Sequence, residues 1–394
     1  MEKILNKNST QIAIIVLLSI VFIILFVQMF GKAYRSGGYD FTSYLLSSKA
    51  LLNNTNPYIQ NTPYPYIYPL FLASILTPFT FLPYSINNIL WFAINVGSFG
   101  FSVYLLLKMF YIMPPSKKVF LTIISFIVLL IFSPIQNHLL NGQINFLVLL
   151  FSTLFFYWYD KNNILSSLFL AFAISLKIVP LIFLMFLLLE KRYRAIIFTI
   201  VFTFICVFVL PYLFIGVKIV NYYSYYLGNF IFHSFSTNTV NYSESMNFTL
   251  YGFINNIFVS SNAFGMYLQI VSAFVVLLPI LYLHYQLLKI NYFQRRIIIY
   301  SLLSLSILLI SPSSQTHHLA FIIPSIFWII INFYEKIDKE KRFFILYCIL
   351  VFILFWLGNI FKKTPLVFLS LSTLFIIIIL SKNKINYFRS VANE

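Results

Sequence analysis

The chain has 394 residues, of which 61% are hydrophobic and only 9% are charged. Its apolar runs recur from end to end, which a soluble core of this length does not require. A formal net charge of +17 would suggest nucleic acid as the partner of a soluble protein, but here the basic residues lie in short loops between apolar runs, where membrane topology accounts for them. The composition therefore argues against a nucleic-acid partner and indicates a polytopic membrane protein.

Twelve apolar segments follow one another along the chain. The first, residues 11–30, is about long enough to cross a hydrocarbon core of roughly 30 Å, and Lys3 and Lys7 precede it. No small-residue cleavage site follows, so an anchor is expected and not a removed signal peptide. The other segments are 86–107, 119–133, 144–159, 164–176, 178–189, 195–215, 265–288, 297–310, 319–334, 343–358 and 365–380. The predicted fold class is all-α, with about 12 transmembrane or re-entrant helices in one membrane domain over residues 1–394.

The loop charges predict an orientation for these helices. With both termini in the cytoplasm, most of the 26 lysines and arginines face inward, as the positive-inside rule requires. Of the nine acidic residues, only Asp40 and Glu244 then lie on the outer side. This sparseness makes Asp40 the residue to explain.

Two long outer segments, residues 31–85 and 216–264, are predicted to form a roof over the membrane domain. The first is rich in Tyr and Pro and contains a shorter apolar stretch, 70–82, broken by Pro78. Such a stretch suits an interfacial or re-entrant helix better than a span. The abundant aromatic side chains of both segments fit either an anchoring belt at the interface or a surface for stacking on sugar rings.

Three polar turns are predicted to lie below the outer surface. A continuous helix over 164–189 would bury Lys177 at mid-membrane and reverse the orientation of everything after it, so a turn from Lys177 to Pro180 is predicted between two helices too short to span. The same pattern recurs at Ser133 to Gln143 and at Ser311 to His318. Irregular polar backbone at this depth needs a protein or water-filled cavity. The alternative is that all three are ordinary external loops.

Six stretches in this order resemble glycosyltransferase family 87. They are "YDFTSYLLSSKALLNNTNPY" (Tyr39 to Tyr58), "YPYIYPLFLASILTPFTFLP" (Tyr64 to Pro83), "NGQIN" (Asn141 to Asn145), "SLKIVPLIFL" (Ser175 to Leu184), "EKRYR" (Glu190 to Arg194) and "SPSSQTHHLAFIIP" (Ser311 to Pro324). The resemblance covers roughly residues 10–335. It implies the GT-C fold, a mannosyl donor carried on polyprenyl phosphate, and Asp40 as the catalytic base in the first outer loop.

The same chemistry can be argued from the residues. Sugar transfer from a lipid phosphate needs a carboxylate to take the proton of the acceptor hydroxyl, and cationic or hydrogen-bonding groups to stabilise the leaving phosphate. Asp40 can be the base, and its alternative is a simple ion pair with Arg35 or Lys49. Glu244, in a loop rich in Ser and Asn, is the rival base and otherwise a solvated or acceptor-contacting residue.

The remaining candidates bind the donor or the acceptor. Lys177, His317 and His318 are predicted to hold the donor phosphate, because an ammonium at membrane depth is costly unless an anion meets it. The alternative for Lys177 is snorkelling to the interface. Sugar hydroxyls or the acceptor are assigned to Asn141, Gln143, Asn145, Tyr68 and Glu244. For the three amides, capping of the helix that starts at 144 is an equal alternative.

No metal site or cofactor is predicted. The chain has no Asp-x-Asp pattern for a metal-bound diphosphate and no Gly-rich loop that opens a helix after a strand. A lipid monophosphate needs no divalent ion if Lys177 and the histidines neutralise it. The prediction is an inverting hexosyltransferase of a bacterial plasma membrane, acting at the extracytoplasmic face on a lipid or glycan acceptor. The alternatives are a flippase or transporter of lipid-linked sugars, and a polysaccharide polymerase or ligase. The oligomeric state stays open.

Overall fold

The structure, a computed structural model, describes the chain in several stretches. Every regular element within them is helical. Four predicted segments, 11–30, 119–133, 343–358 and 365–380, fall largely or wholly outside these residues. The stretches are residues 26–35, 38–62, 64–109, 133–232, 265–288, 292–311 and 316–334, with a few isolated positions besides.

The segment predicted to be the first outer roof is largely helical. Helix α1 (Tyr39–Leu52) starts after Gly38, whose φ of +58° lies in the left-handed region and lets the chain turn sharply into the helix. Helix α2 (Leu70–Ile75) is followed by a 3₁₀ turn over Thr77–Phe81 with a proline in its first positions. The break expected at Pro78 is therefore observed, and neither piece is long enough to span.

The next four helices pack against one another. Helix α3 (Tyr84–Met109) is long and apolar, and after an undescribed stretch come α4 (Ser133–Asn141) and α5 (Asn145–Trp158), bent against each other by 115°. Helix α6 (Asn163–Leu176) returns in the opposite direction. The predicted irregular turn over Ser133 to Gln143 is wrong in its backbone, because most of it is helix α4 and only the last residues turn.

The start of α6 and its end are both set by local sequence. The Asn162 side chain accepts hydrogen bonds from the backbone N–H groups of Ile164 and Leu165, which caps the helix. Lys177 is extended, and Pro180 lies in the 3₁₀ turn Val179–Ile182 that leads into α7 (Phe183–Leu189). The turn predicted at Lys177 is present.

The next helical segment is longer than expected. Helices α8 (Tyr193–Phe204), α9 (Leu210–Ile215) and α10 (Ile219–Tyr226) are joined by a π turn at Ile205–Val209 and a 3₁₀ turn at Gly216–Lys218. A second π turn, Leu227–Phe232, follows. The expected second outer segment therefore begins as helix over 216–232. Only 17% of its most apolar window is buried inside the protein, so this face suits contact with lipid.

The C-terminal part of the described chain adds α11 (Gly265–Leu287), α12 (Tyr292–Ile310), a 3₁₀ turn over Thr316–Ile322 and α13 (Ile323–Tyr334). Three described helices are long and apolar enough to cross a membrane, Tyr84–Met109, Tyr193–Phe230 and Ile270–Leu287, and the bent pair α4–α5 would make a fourth. The count of about twelve stays a prediction.

The core lies between α3, α5, α6, α12 and the helices around them. Tyr300 of α12 stacks on Phe156 of α5 with ring centroids 4.1 Å apart, and its hydroxyl hydrogen-bonds with Thr153 Oγ1 at 2.8 Å. Because α5, α6 and α7 alternate in direction, their turns collect at two opposite ends. The end that holds Lys177 is called the lysine end below, and the end that holds Arg192 the arginine end.

Candidate active site

Asp40 lies in the first turn of α1 and is half-buried. Burial raises the pKa of its carboxyl group from 3.8 to about 6, while a hydrogen bond with the Gln143 side chain and the positive charge of Lys177 act in the opposite direction. Neither Arg35 nor Lys49, the two alternative partners, forms an ion pair with the Asp40 carboxylate. Arg35 donates to the carbonyl of Gly31 at 3.0 Å, and the ion pairs among the described residues do not include Asp40 with Lys49.

Two hydrogen bonds to the side-chain oxygen of Gln143 leave its amide nitrogen to donate to Asp40. Its Oε1 accepts hydrogen bonds from the hydroxyls of Tyr68 at 3.1 Å and Tyr44 at 3.4 Å. With the oxygen engaged by two donors, the N–H₂ group is the part left to donate to the Asp40 carboxylate. Tyr44 lies four residues after Asp40 and therefore on the same face of α1.

Lys177 reaches the same cluster from the end of α6. Its Nζ donates to Asn145 Oδ1 at 2.9 Å and lies 5.8 Å from the centroid of the Tyr68 ring. Burial lowers the pKa of the ammonium group from 10.5 to about 7, and the negative charge of Asp40 opposes this shift. The lysine is directed at an interior amide and an aromatic ring, and not along the surface as a snorkelling side chain would be.

The structure thus brings together Asp40, Gln143, Tyr68, Asn145 and Lys177 from the predicted site. Asn145 accepts from Lys177, and a cap for α5 comes from elsewhere, since the backbone N–H of Phe146 donates to His138 Nε2 at 3.3 Å. This histidine had no role in the predicted site.

The other predicted site residues make different contacts or are not described. The Asn141 side chain donates to Asn137 Oδ1 at 3.0 Å, a hydrogen bond within α4. His318 lies half-buried in the 3₁₀ turn after α12. The side chain of His317 and all of Glu244 lie outside the described residues.

Several tyrosines of the predicted outer segments pack against each other. Tyr58, Tyr66 and Tyr68 are each at least 96% buried, and Tyr58 stacks on Tyr226 with centroids 5.1 Å apart. Tyr66 donates to the carbonyl of Pro69 at 2.6 Å. These rings form a tyrosine-rich wall behind the cluster, so the surface for sugar stacking would have to be built from other side chains.

A second cluster of charges occupies the arginine end. Asp160 pairs with Arg192 at 2.8 Å and with Arg296, while Glu190 pairs with His284 at 2.7 Å and Arg295 at 2.9 Å. Arg295 and Arg296 lie between the predicted segments 265–288 and 297–310, where the sequence predicts a loop. The structure places them near the start of α12, less than 10% exposed, because two carboxylates from neighbouring turns compensate their charge.

Within the part of the chain that the structure describes, no three His, Cys, Asp or Glu side chains are grouped closely enough to hold a metal ion. Among the described residues, the lysine end brings together one carboxylate, one ammonium and two amides. Such a set can take up a proton and bind an anion.

Fold and site together define a helical membrane protein with a polar cluster at one end of its helices. The family model of glycosyltransferase family 87 matches residues 66–312, more than half of the chain. The protein belongs to glycosyltransferase family 87, and it is a glycosyltransferase. No curated protein matches the chain. The matched range contains Tyr68, Gln143, Asn145 and Lys177, and it begins after Asp40.

Proposed function

We propose that the protein is an inverting, metal-independent hexosyltransferase that moves a sugar from a polyprenyl-phosphate donor to a lipid or glycan acceptor. The observation that carries this proposal is the meeting of Asp40, Gln143 and Lys177 at one end of a family 87 glycosyltransferase. Mannose as the sugar, the GT-C architecture and the extracytoplasmic position of the site belong to the same proposal and rest on the resemblance and the charge pattern.

In the proposed reaction, the acceptor hydroxyl attacks the anomeric carbon of the donor sugar. A bond forms between the acceptor oxygen and that carbon, the bond from the carbon to the phosphate oxygen breaks, and the hydroxyl proton moves to the Asp40 carboxylate. A base needs a pKa near the working pH, and burial has moved the pKa of Asp40 to about 6. The lone carboxylate of the described cluster suits inversion, since a single displacement needs no second carboxylate as nucleophile.

Lys177 is proposed to stabilise the leaving lipid phosphate. Negative charge grows on the bridging oxygen as the sugar departs, so an ammonium held beside it binds the transition state more tightly than the ground state. The hydrogen bond to Asn145 fixes the direction of the ammonium and leaves two of its three N–H donors for an anion. His317 and His318 are proposed as further phosphate contacts.

The donor carries a single phosphate, which a lysine can neutralise without a divalent ion. The acidic groups described at the arginine end are all engaged in ion pairs. They lie at the opposite end of the helices from Lys177, so they cannot bind a metal ion beside the donor phosphate. The proposed reaction is therefore insensitive to chelators.

The test is to incubate the purified protein in detergent with radiolabelled polyprenyl-phosphate-mannose and a lipid extract of the source cells, with and without EDTA. Label is expected in a new glycolipid or glycan, at the same rate in both arms. Loss of transfer with EDTA and recovery with Mn²⁺ would contradict the metal-independent mechanism. A label that crosses reconstituted vesicles without forming a new bond would favour the transporter, and products of growing length would favour the polymerase.

A further inference from the structure

Trp91, in the third turn of α3, contacts the chain neighbours of both Asp40 and Gln143. Its ring stacks on that of Phe41, the neighbour of Asp40, with centroids 4.8 Å apart and planes 7° from parallel. Its indole N–H donates to the carbonyl of Gly142, the neighbour of Gln143, at 2.7 Å. The side chain is only 4% exposed. One rigid ring thus connects the helix that carries the carboxylate to the turn that carries the amide.

Gly142 makes this close approach possible. Its φ is +65°, a conformation that side chains disfavour, and a Cβ built on it would lie 2.8 Å from Phe41 Cβ and 3.3 Å from two atoms of Trp91. The turn between α4 and α5 is therefore pressed directly against α1. Only glycine permits this separation of the two backbones.

A second contact joins the same helices about two turns earlier on α3. The hydroxyls of Thr42 and Tyr84 hydrogen-bond at 2.9 Å, which ties α1 to the first residue of α3. Helix α3 therefore contacts α1 at Phe41 and Thr42, the two residues that directly follow Asp40, and it contacts the Gln143 turn at Gly142.

We infer that Trp91 is a positioning residue, which keeps the Gln143 amide against the Asp40 carboxylate and so sets the pH at which the proposed base becomes active. This inference rests on the proposed function only in treating the Asp40 carboxylate as the base. The contacts themselves lie between described residues. The physical reason is that a base must be held within about 0.5 Å of its productive position. A buried indole with one hydrogen bond and one stacked ring provides that restraint from two directions.

The direction of the effect follows from the surroundings of Asp40. Burial favours the neutral acid, and the Gln143 hydrogen bond favours the carboxylate. If Gln143 moves away, the hydrogen bond that lowers the pKa of Asp40 is lost, and burial raises this pKa further. The other titratable groups nearby are Lys177, Tyr44 and Tyr68, and on the packed helix α4 His138, whose Nε2 is already engaged by the Phe146 N–H.

The experiment compares Trp91→Phe with a matched control, Trp158→Phe at the opposite end of α5. Phenylalanine keeps a ring against Phe41 but cannot donate to Gly142. Two readouts are used on purified protein in detergent: the pH profile of kcat and KM for sugar transfer, and an infrared titration of the protonated carboxyl band. The band is assigned to Asp40 by its absence in Asp40→Asn.

Trp91→Phe is expected to move the acid limb and the carboxyl midpoint upward by on the order of half a pH unit to one unit, and to lower kcat about tenfold with donor KM little changed. Trp158→Phe should leave both readouts at the wild-type values. Gly142→Ala should shift the midpoint in the same direction, because its methyl group forces the turn away from Phe41.

Equal midpoints in wild type and Trp91→Phe, with both proteins folded by thermal melting, would overturn the inference. So would a lower melting temperature accompanied by an unchanged pH profile, since that result describes a merely structural tryptophan. If the wild type transferred no sugar but the carboxyl midpoint still moved in Trp91→Phe, the proposed function would fail while the positioning role stood.

Discussion

The charged side chains at the two ends of the helices have different kinds of partner. At the arginine end, Asp160 and Glu190 each contact two cationic side chains directly. At the lysine end, Asp40 and Lys177 interact through their charges but do not form one of the described ion pairs, and each is hydrogen-bonded instead to an amide, Gln143 for the acid and Asn145 for the ammonium.

This difference separates charges that fasten helices from charges that are available to a ligand. A buried carboxylate with two cations beside it is compensated, and removing one partner leaves an uncompensated charge. An acid and an ammonium held by neutral amides keep perturbed pKa values and free hydrogen-bonding capacity, which is typical of functional sites. The predictions below test this division.

The largest effect is expected for Asp40→Asn. The amide keeps the size of the side chain but cannot take up a proton, so the turnover rate should fall by about 10² to 10⁴ while donor binding is largely kept. Radiolabel transfer and donor binding measure the two quantities. Asp160→Asn is the matched control at the arginine end, where turnover per folded molecule should stay near wild type. Equal losses in both variants would break the comparison.

The second largest loss of activity is expected for Lys177→Met. The substitution keeps the apolar stem, removes the charge, and is expected to weaken donor binding and lower the rate by about 10² to 10³, the scale seen when one stabilising donor is lost. Lys177→Arg should recover only part, since a planar fork does not replace a compact ammonium. Lys161→Met, which changes an exposed lysine in the turn before α6 at the arginine end, serves as the control. Normal turnover by a less stable Lys177→Met would make this lysine an anchor.

Glu190→Gln tests the other half of the comparison. It leaves Arg295 without its carboxylate in a buried position, so the free energy of unfolding should fall by roughly 3 to 5 kcal/mol. Denaturation in mild detergent measures the loss, and transfer per folded molecule should change by less than about twofold. A stable variant that had lost its activity would assign catalysis to the arginine end.

The smallest effect is the pH dependence of the wild type. Asp40 must be ionised and is protonated below its pKa of about 6, whereas Lys177 must be protonated and loses its charge above its pKa of about 7. The profile of kcat/KM should therefore be bell-shaped, with its maximum between these values. In the donor complex the anionic phosphate raises both pKa values, so both limbs of kcat should lie at higher pH. A flat profile would exclude this pair of groups.

Much of the site could be predicted because its residues are chemically conspicuous. An acid on the side that the charge pattern predicts to be outer and poor in acids, and a lysine between two short apolar helices, each depart from what a lipid-facing sequence would contain. Gln143 and Asn145 follow from the polar turn between two apolar segments. The helical conformation of Ser133 to Asn141 was not predicted, because a polar composition was taken for irregular backbone.

Trp91 and Tyr44 show what could not be predicted. An apolar tryptophan inside a span has the pattern of any core residue, and its contacts with Phe41 and Gly142 join positions 50 and 51 residues apart. Arg295 and Arg296 were assigned to a cytoplasmic loop by the same charge rule that located Asp40. Their burial depends on carboxylates more than 100 residues earlier.

By itself, the sequence determined that this chain is a helical membrane protein, that Lys177 interrupts a hydrophobic stretch, and which polar side chains stand out against the apolar background. These properties depend on composition and on periodicity over a few residues. Only the tertiary structure decided which of the polar groups meet, because a carboxylate, two amides and an ammonium from α1, the α4–α5 turn and α6 come together through the packing of helices distant in sequence. The same packing buries Asp40 and Lys177, and burial moves their pKa values toward neutrality.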